Sequence, residues 1–131
     1  MFITEFYAGL LAILFFALSI RVVAVRGRVS LGDGGDPVVL RRMRGHANFA
    51  EYVPLILLMM ALLEYHHLAT WQLHLMGATL VIARLLHGIA LSFAKKWFLG
   101  RFLGSVLTFV LLVSCAIACI AQSVRGLQLL T

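Results

Sequence analysis

Apolar residues run almost unbroken through four stretches of this chain, about residues 3–25, 37–63, 70–93 and 101–124, each long enough to cross a bilayer, for which about 20 residues suffice. The first runs from Ile3 through Phe15-Phe16-Ala17-Leu18 to Val25, and Arg21 and Arg26 close it where long cationic side chains can reach the headgroups. Its Glu5 falls at the interface. A connector rich in glycine, Gly27 to Asp36, then forbids a continuous helix. Asp36 followed by Pro37 predicts an N-cap and a first helical residue, so the second span begins there and runs to about Leu63. The connection 64–72 lacks Lys and Arg and places Tyr65 and Trp71 as interfacial aromatics. The next, 94–101, is basic, and the fourth span ends near Val124, just before Arg125.

Composition agrees with this reading. With 63% hydrophobic residues over 131 positions and a mean hydropathy of +1.03, the chain is too apolar for a soluble domain, whose apolar share is about 45 to 50%. The expected fold is an all-α membrane protein, one four-transmembrane-helix bundle spanning 1–131. The net charge of +6 is membrane topology and not a nucleic-acid footprint, because the cations sit in two connectors beside apolar spans. The first connector (26–44) holds five Arg against two Asp and the third holds Lys95, Lys96 and Arg101, whereas the second has only Glu64. By the positive-inside rule connectors one and three are cytoplasmic and both termini lie on the other side. No basic leader or small-residue cleavage site marks the first span, which is expected to be a retained helix.

Polar residues inside the second span demand a reason. An ionisable group within a span is disfavoured by about 2.5 to 3.5 kcal/mol on insertion scales, yet Arg44, Asn48, Glu51 and Tyr52 all enter there. At about 100° per residue, with Arg44 at zero, Asn48 lies at about 40°, Glu51 at about −20° and Tyr52 at about 80°. These four share one face. His46, at about 200°, looks the opposite way. Arg84 and His87 near the end of span three and Arg101 at the opening of span four approach the same leaflet. An excess of cations around one carboxylate suits an anionic, zwitterionic ligand: Arg grips carboxylates in bidentate fashion and Glu takes an ammonium. A plain ion pair between Glu51 and Arg84 across helices two and three is expected whether or not a ligand binds. Arg41, Arg42, Lys95 and Lys96 read as cations reaching the interface.

Other candidates are weaker. His66, His67 and His74 lack the carboxylates or thiols that would complete a coordination sphere, so no metal is assigned and interfacial histidines are expected. Cys115 and Cys119, four apart, join Gly104, Thr108 and Gln122 in a small and polar stripe that reads as a helix interface, and Gly100-x-x-x-Gly104 fits close helix approach. No nucleophile elbow, phosphate loop, HExxH or dinucleotide fingerprint occurs.

The pattern Arg44-x-x-x-Asn48-x-x-Glu51-Tyr52-x-Pro54, at the start of the second of four short spans, resembles the signature of the MAPEG family, the membrane-associated proteins in eicosanoid and glutathione metabolism. Leu31-Gly32-Asp33-Gly34-Gly35-Asp36-Pro37 and Ala83-Arg84-Leu85-Leu86-His87 resemble its bacterial members, and the likeness covers nearly the whole chain. The resemblance implies a bacterial inner-membrane homotrimer in contact with lipid, with glutathione as co-substrate between helices of adjacent subunits. Arg44, Asn48, Glu51 and Tyr52 would contact it, with Arg84 and His87 nearby. His46 and Arg26 or Arg28 would reach the neighbouring subunit's ligand. Arg101 matches the catalytic arginine, from the edge of the third connector. The implied activity is a glutathione S-transferase or glutathione-dependent peroxidase acting on lipophilic electrophiles or hydroperoxides. The alternative is a non-catalytic trimer of the same fold that holds a lipid or another small thiol. Where the family's eicosanoid synthases carry tyrosines on span three, this chain has His87 and Leu91, and leukotriene or prostaglandin synthesis is not implied.

Overall fold

The computed structural model describes residues 2–27, 32–92 and 97–128. Four helices follow in order: α1 (Phe2–Arg26), α2 (Pro37–Tyr65), α3 (Thr70–Ser92) and α4 (Phe98–Gln128). All four are long and apolar enough to cross a membrane, so the protein is an all-α, four-helix integral membrane protein. α2 begins from a defined cap. Asp36 accepts the Val38 N–H at 2.7 Å and Pro37 opens the helix, where its missing N–H leaves nothing unsatisfied. The chain reaches this cap through a turn in which Gly34 and Gly35 take left-handed φ angles of 56° and 76°, which residues with a Cβ rarely adopt.

The helices alternate in direction. α3 and α4 pack most extensively, α2 touches all three others, and α1 meets α2 and α3 but not α4 among the described residues. Leu11 and Leu18 of α1, Phe49, Val53, Ile56 and Met60 of α2, Leu80 of α3, and Leu111 and Cys115 of α4 form the central core. The outward faces are apolar too: Ile13, Val23, Val113 and Ile117 are all more than half exposed, as lipid or a partner helix requires. Side chains tie each end together. At one end Glu64 of α2 accepts the N–H groups of Ile3 and Thr4, both at 2.9 Å, satisfying two orphan donors at the start of α1. At the other, Arg21 of α1 donates to the Ser92 carbonyl of α3, and Arg42 of α2 donates to the Arg21 carbonyl at 3.0 Å.

The stripe on α4 is a helix interface. Gly100, Gly104, Thr108, Leu111 and Cys115 are buried on successive turns, and a Cβ built on Gly104 would stand 2.7 Å from the Ala83 carbonyl oxygen. Backbone therefore approaches backbone here, which only glycine permits. The boundaries shift most on α2 and α4, and α4 runs on to Gln128, past the expected end near Val124. α4 begins at Phe98, one turn before Arg101, with Phe98 and Phe102 stacked and the Arg101 N–H bonded to the Trp97 carbonyl at 3.4 Å. Arg101 is thus a residue of the first helical turn and not of the connector's edge. α2 continues to Tyr65, so Glu64 is helical and caps α1 from the last turn of α2.

Candidate functional site

A half-open cleft of about 390 Å³ lies where the start of α2 faces the end of α3 and the start of α4. α2 supplies Leu40, Arg41, Arg44, Ala47, Asn48 and Glu51, α3 supplies His87 and Leu91, and α4 supplies Arg101. Three arginines thus surround one carboxylate. Glu51, Arg44 and Arg101 are all exposed to this space, and the Arg101 guanidinium also sits 5.6 Å from the centre of the Phe98 ring, which orients it along its own helix.

Helical spacing accounts for the α2 wall. Counted from Arg44, residues 40, 41, 47, 48 and 51 all fall within about 60° on either side, one stripe of the helix. Sequence reading placed Arg44, Asn48 and Glu51 on that stripe but left Arg41 as a cation reaching the interface. Arg41 lies at about 60° on the same wheel, and extending the count one turn backward would have found it. Its Nε donates to the Pro37 carbonyl at 3.4 Å. Tyr52, at the edge of the stripe, turns toward α4 and meets Phe109 edge to face at 5.5 Å, outside the cleft.

Arg84 stands behind the wall. It is only 2% exposed, and its Nη1 donates to Asn48 Oδ1 at 2.8 Å while Nη2 donates to the Gly104 carbonyl at 3.3 Å and to Thr108 Oγ1. The expected Glu51–Arg84 ion pair is not formed. The rotation of α2 turns Asn48 toward α3 and leaves Glu51 facing the cleft, so the buried guanidinium is met by three neutral acceptors instead of a carboxylate. Thr108 Oγ1 in turn donates to the Gly104 carbonyl at 2.7 Å. His87, one turn beyond Arg84, is buried and lines the cleft.

The remaining candidates lie elsewhere. His46 packs on α1, stacked on Phe15 at 4.5 Å with Nε2 at 3.1 Å from Ser19 Oγ, on the far side of α2 as its angle on the wheel requires. Arg26 is exposed at the end of α1. Arg28, Lys95 and Lys96 lie outside the described residues. His67 sits before α3, which starts at Thr70, with a φ of 59°, outside the helical register that would place it over His74. His74 instead faces Tyr7, whose hydroxyl lies 3.1 Å from its Nδ1.

A helix-borne wheel of Arg, Asn and Glu opening on a cationic cleft between spans two, three and four is what the sequence pattern had suggested, and the family model of MAPEG matches residues 4–121. The chain belongs to the MAPEG family. Among curated relatives, the inner membrane protein YecN of Escherichia coli strain K12 and its counterpart in Escherichia coli O6:H1 strain CFT073 are each 36% identical over 87 residues, 65% of this chain. The match spans 66% of the length of those relatives. No solved structure matches the chain significantly.

Proposed function

We propose that this protein is a membrane-bound glutathione S-transferase or glutathione-dependent peroxidase acting on lipophilic electrophiles or hydroperoxides. The observation that carries the reading is the cleft itself, with Arg41, Arg44 and Arg101 around the single carboxylate of Glu51. Glutathione brings two carboxylates, one ammonium and a thiol, so arginine forks and one glutamate are its charge complement. The cleft volume falls within the range of about 300 to 1,000 Å³ usual for small-molecule sites. Glu51 takes the ammonium, Arg41 and Arg44 the carboxylates, and Arg101 the sulfur.

A free thiol of pKa about 8.5 is mostly protonated at neutral pH, and a cation beside it favours the thiolate. In the transferase reaction the thiolate electron pair forms the new sulfur–carbon bond, and the leaving group departs with its own pair. In the peroxidase reaction the sulfur takes the terminal oxygen of the hydroperoxide and the alcohol leaves. A second glutathione then gives the disulfide and water. The lipophilic partner enters from the bilayer beside Leu40 and Leu91. By similarity to the relatives the protein resides in the bacterial inner membrane; the family resemblance implies a homotrimer, with the cleft at the cytoplasmic end that the arginine-rich connectors define.

The second reading, a non-catalytic trimer holding a lipid or another small thiol, is favoured by one feature: the described lining has no hydroxyl side chain. Calorimetry on detergent-purified protein separates the two. Glutathione binding that Glu51→Gln abolishes, together with ultraviolet thiolate absorbance at neutral pH, supports the enzyme. Arg101→Ala should keep the fold and lose at least about tenfold in thiolate-dependent turnover, about 1.4 kcal/mol. An unaltered rate removes Arg101 from the mechanism, and no binding at millimolar glutathione removes the enzyme reading.

A further inference from the structure

Asn48 is half-buried at the inner edge of the cleft, and its side-chain amide has two unlike ends. Arginine is a donor only, so the end that meets Arg84 Nη1 at 2.8 Å must be the carbonyl oxygen. That contact settles which way the amide points. The NH2 end then faces away from Arg84, toward the cleft that Asn48 lines. Arg84 has little freedom to release it: its side chain is 2% exposed, its Nη2 is held by the Gly104 carbonyl and Thr108, and its Nε is buried without a hydrogen-bond partner.

We propose that Arg84 is a positioning residue, which fixes the Asn48 amide so that the cleft presents an N–H donor to an anionic acceptor of the ligand, a carboxylate or a thiolate. A free asparagine would offer either end and discriminate little. Held by Arg84, it selects for acceptors, and the described lining then carries donors on Arg41, Arg44, Asn48 and Arg101 with Glu51 as its acid acceptor. The identity of the ligand rests on the reading in the preceding section; the hold of Arg84 on Asn48 does not.

Asn48 is the single asparagine of the chain, so protein labelled with 15N-asparagine shows one side-chain NH2 pair by NMR in micelles. In ligand-free protein Arg84→Met should move this pair and speed its exchange with solvent. Arg84→Lys, which keeps a donor for Asn48 but loses the fork to Gly104 and Thr108, should hold it near its native position. A pair left in place by Arg84→Met overturns the proposal even if glutathione does not bind at all, an outcome that would dispose only of the proposed function. With reduced glutathione as probe, Arg84→Met and Asn48→Ala should each weaken binding about tenfold, the scale of a hydrogen bond to a charged group, while Arg84→Lys stays within about threefold. The double variant Arg84→Met with Asn48→Ala should bind no more weakly than Asn48→Ala, because one residue acts through the other. Additive losses, or equal losses for Arg84→Met and Arg84→Lys, would show that Arg84 acts on the ligand directly or only supports the fold. S-methylglutathione, which keeps both carboxylates and lacks the thiol, assigns the acceptor: it shifts the Asn48 pair if a carboxylate is bound there and not if the thiolate is. A shift with neither compound overturns the donor role.

Discussion

Gly104→Ala tests whether the contact between α3 and α4 is as close as the backbone indicates. The added Cβ would lie 2.7 Å from the Ala83 carbonyl oxygen and 2.9 Å from the His87 Cβ and backbone nitrogen. All three neighbours belong to helix backbone or its first side-chain atom, so no rotamer change relieves them. Reaching an ordinary carbon–oxygen approach of about 3.3 Å requires the helices to part by about 0.6 Å. The same movement stretches the bond from Arg84 Nη2 to the Gly104 carbonyl, which at 3.3 Å is already long. Overpacking of this kind costs about 1 to 3 kcal/mol, and weakening a hydrogen bond to a buried charge adds about 1.5 to 3. Alanine recovers about 1 kcal/mol of helix propensity. The net expectation is a loss of about 1.5 to 5 kcal/mol. Unfolding in mixed micelles of rising dodecyl sulfate content, followed by circular dichroism and by the fluorescence of Trp71 and Trp97, measures it. Gly126→Ala is the control, since a Cβ there meets nothing within 4 Å and propensity alone should leave stability equal or slightly higher. A Gly104→Ala protein as stable as wild type, or a control equally destabilised, would refute the argument.

Two further changes probe the ends of the bundle. Asp36→Ala removes the oxygen that holds the Val38 N–H and should lower stability by about 1 kcal/mol, whereas Asp36→Asn should lose only a few tenths; equal effects in the same unfolding assay would show that the cap is not what matters. Glu64→Ala strips both acceptors from the first turn of α1, with an expected loss of about 2 kcal/mol and faster amide exchange confined to Ile3 and Thr4, and unchanged protection at those two amides would contradict the capping role.

Much of this was legible in the sequence because a membrane makes few demands. Span length, the Asp36-Pro37 start and the polar stripe on α2 each follow from one rule of spacing or capping, and the helices obey them. Arg44, Asn48 and Glu51 were found because they share an angle on a single helix. Contacts between helices were less legible. The rotation of α2 that presents Asn48 and not Glu51 to Arg84 depends on how the helices pack together, as does the close approach of α4 to α3 at Gly104. Within one helix, Asn48 and Glu51 differ by only about 60°, too little for spacing alone to choose between them. The turn of helix before Arg101 was missed for a local reason: Trp97 and Phe98 lie between the cations of the basic stretch 94–101 and read as part of that connector, although the stacking of Phe98 on Phe102 already belongs to α4.

The absence of an Arg84–Glu51 pair changes what the charges in the bundle can do. A carboxylate paired inside the protein is spent on stability, and a ligand that needs it must first break that pair. Here the two Nη groups of the buried guanidinium meet Asn48, Gly104 and Thr108, all neutral, so its positive charge persists behind the wall and Glu51 stays exposed to the cleft. Replacing a buried ion pair with neutral partners leaves a field directed at whatever lies in front, and a site of low dielectric strengthens it. The arrangement therefore favours anionic groups on the Asn48 side and a cation at Glu51, with the two positions set by helix geometry one turn apart. A ligand carrying an ammonium and a carboxylate on one small backbone meets both at once. One carrying only an anion leaves Glu51 unanswered beside three arginines, and should bind more weakly for that reason alone.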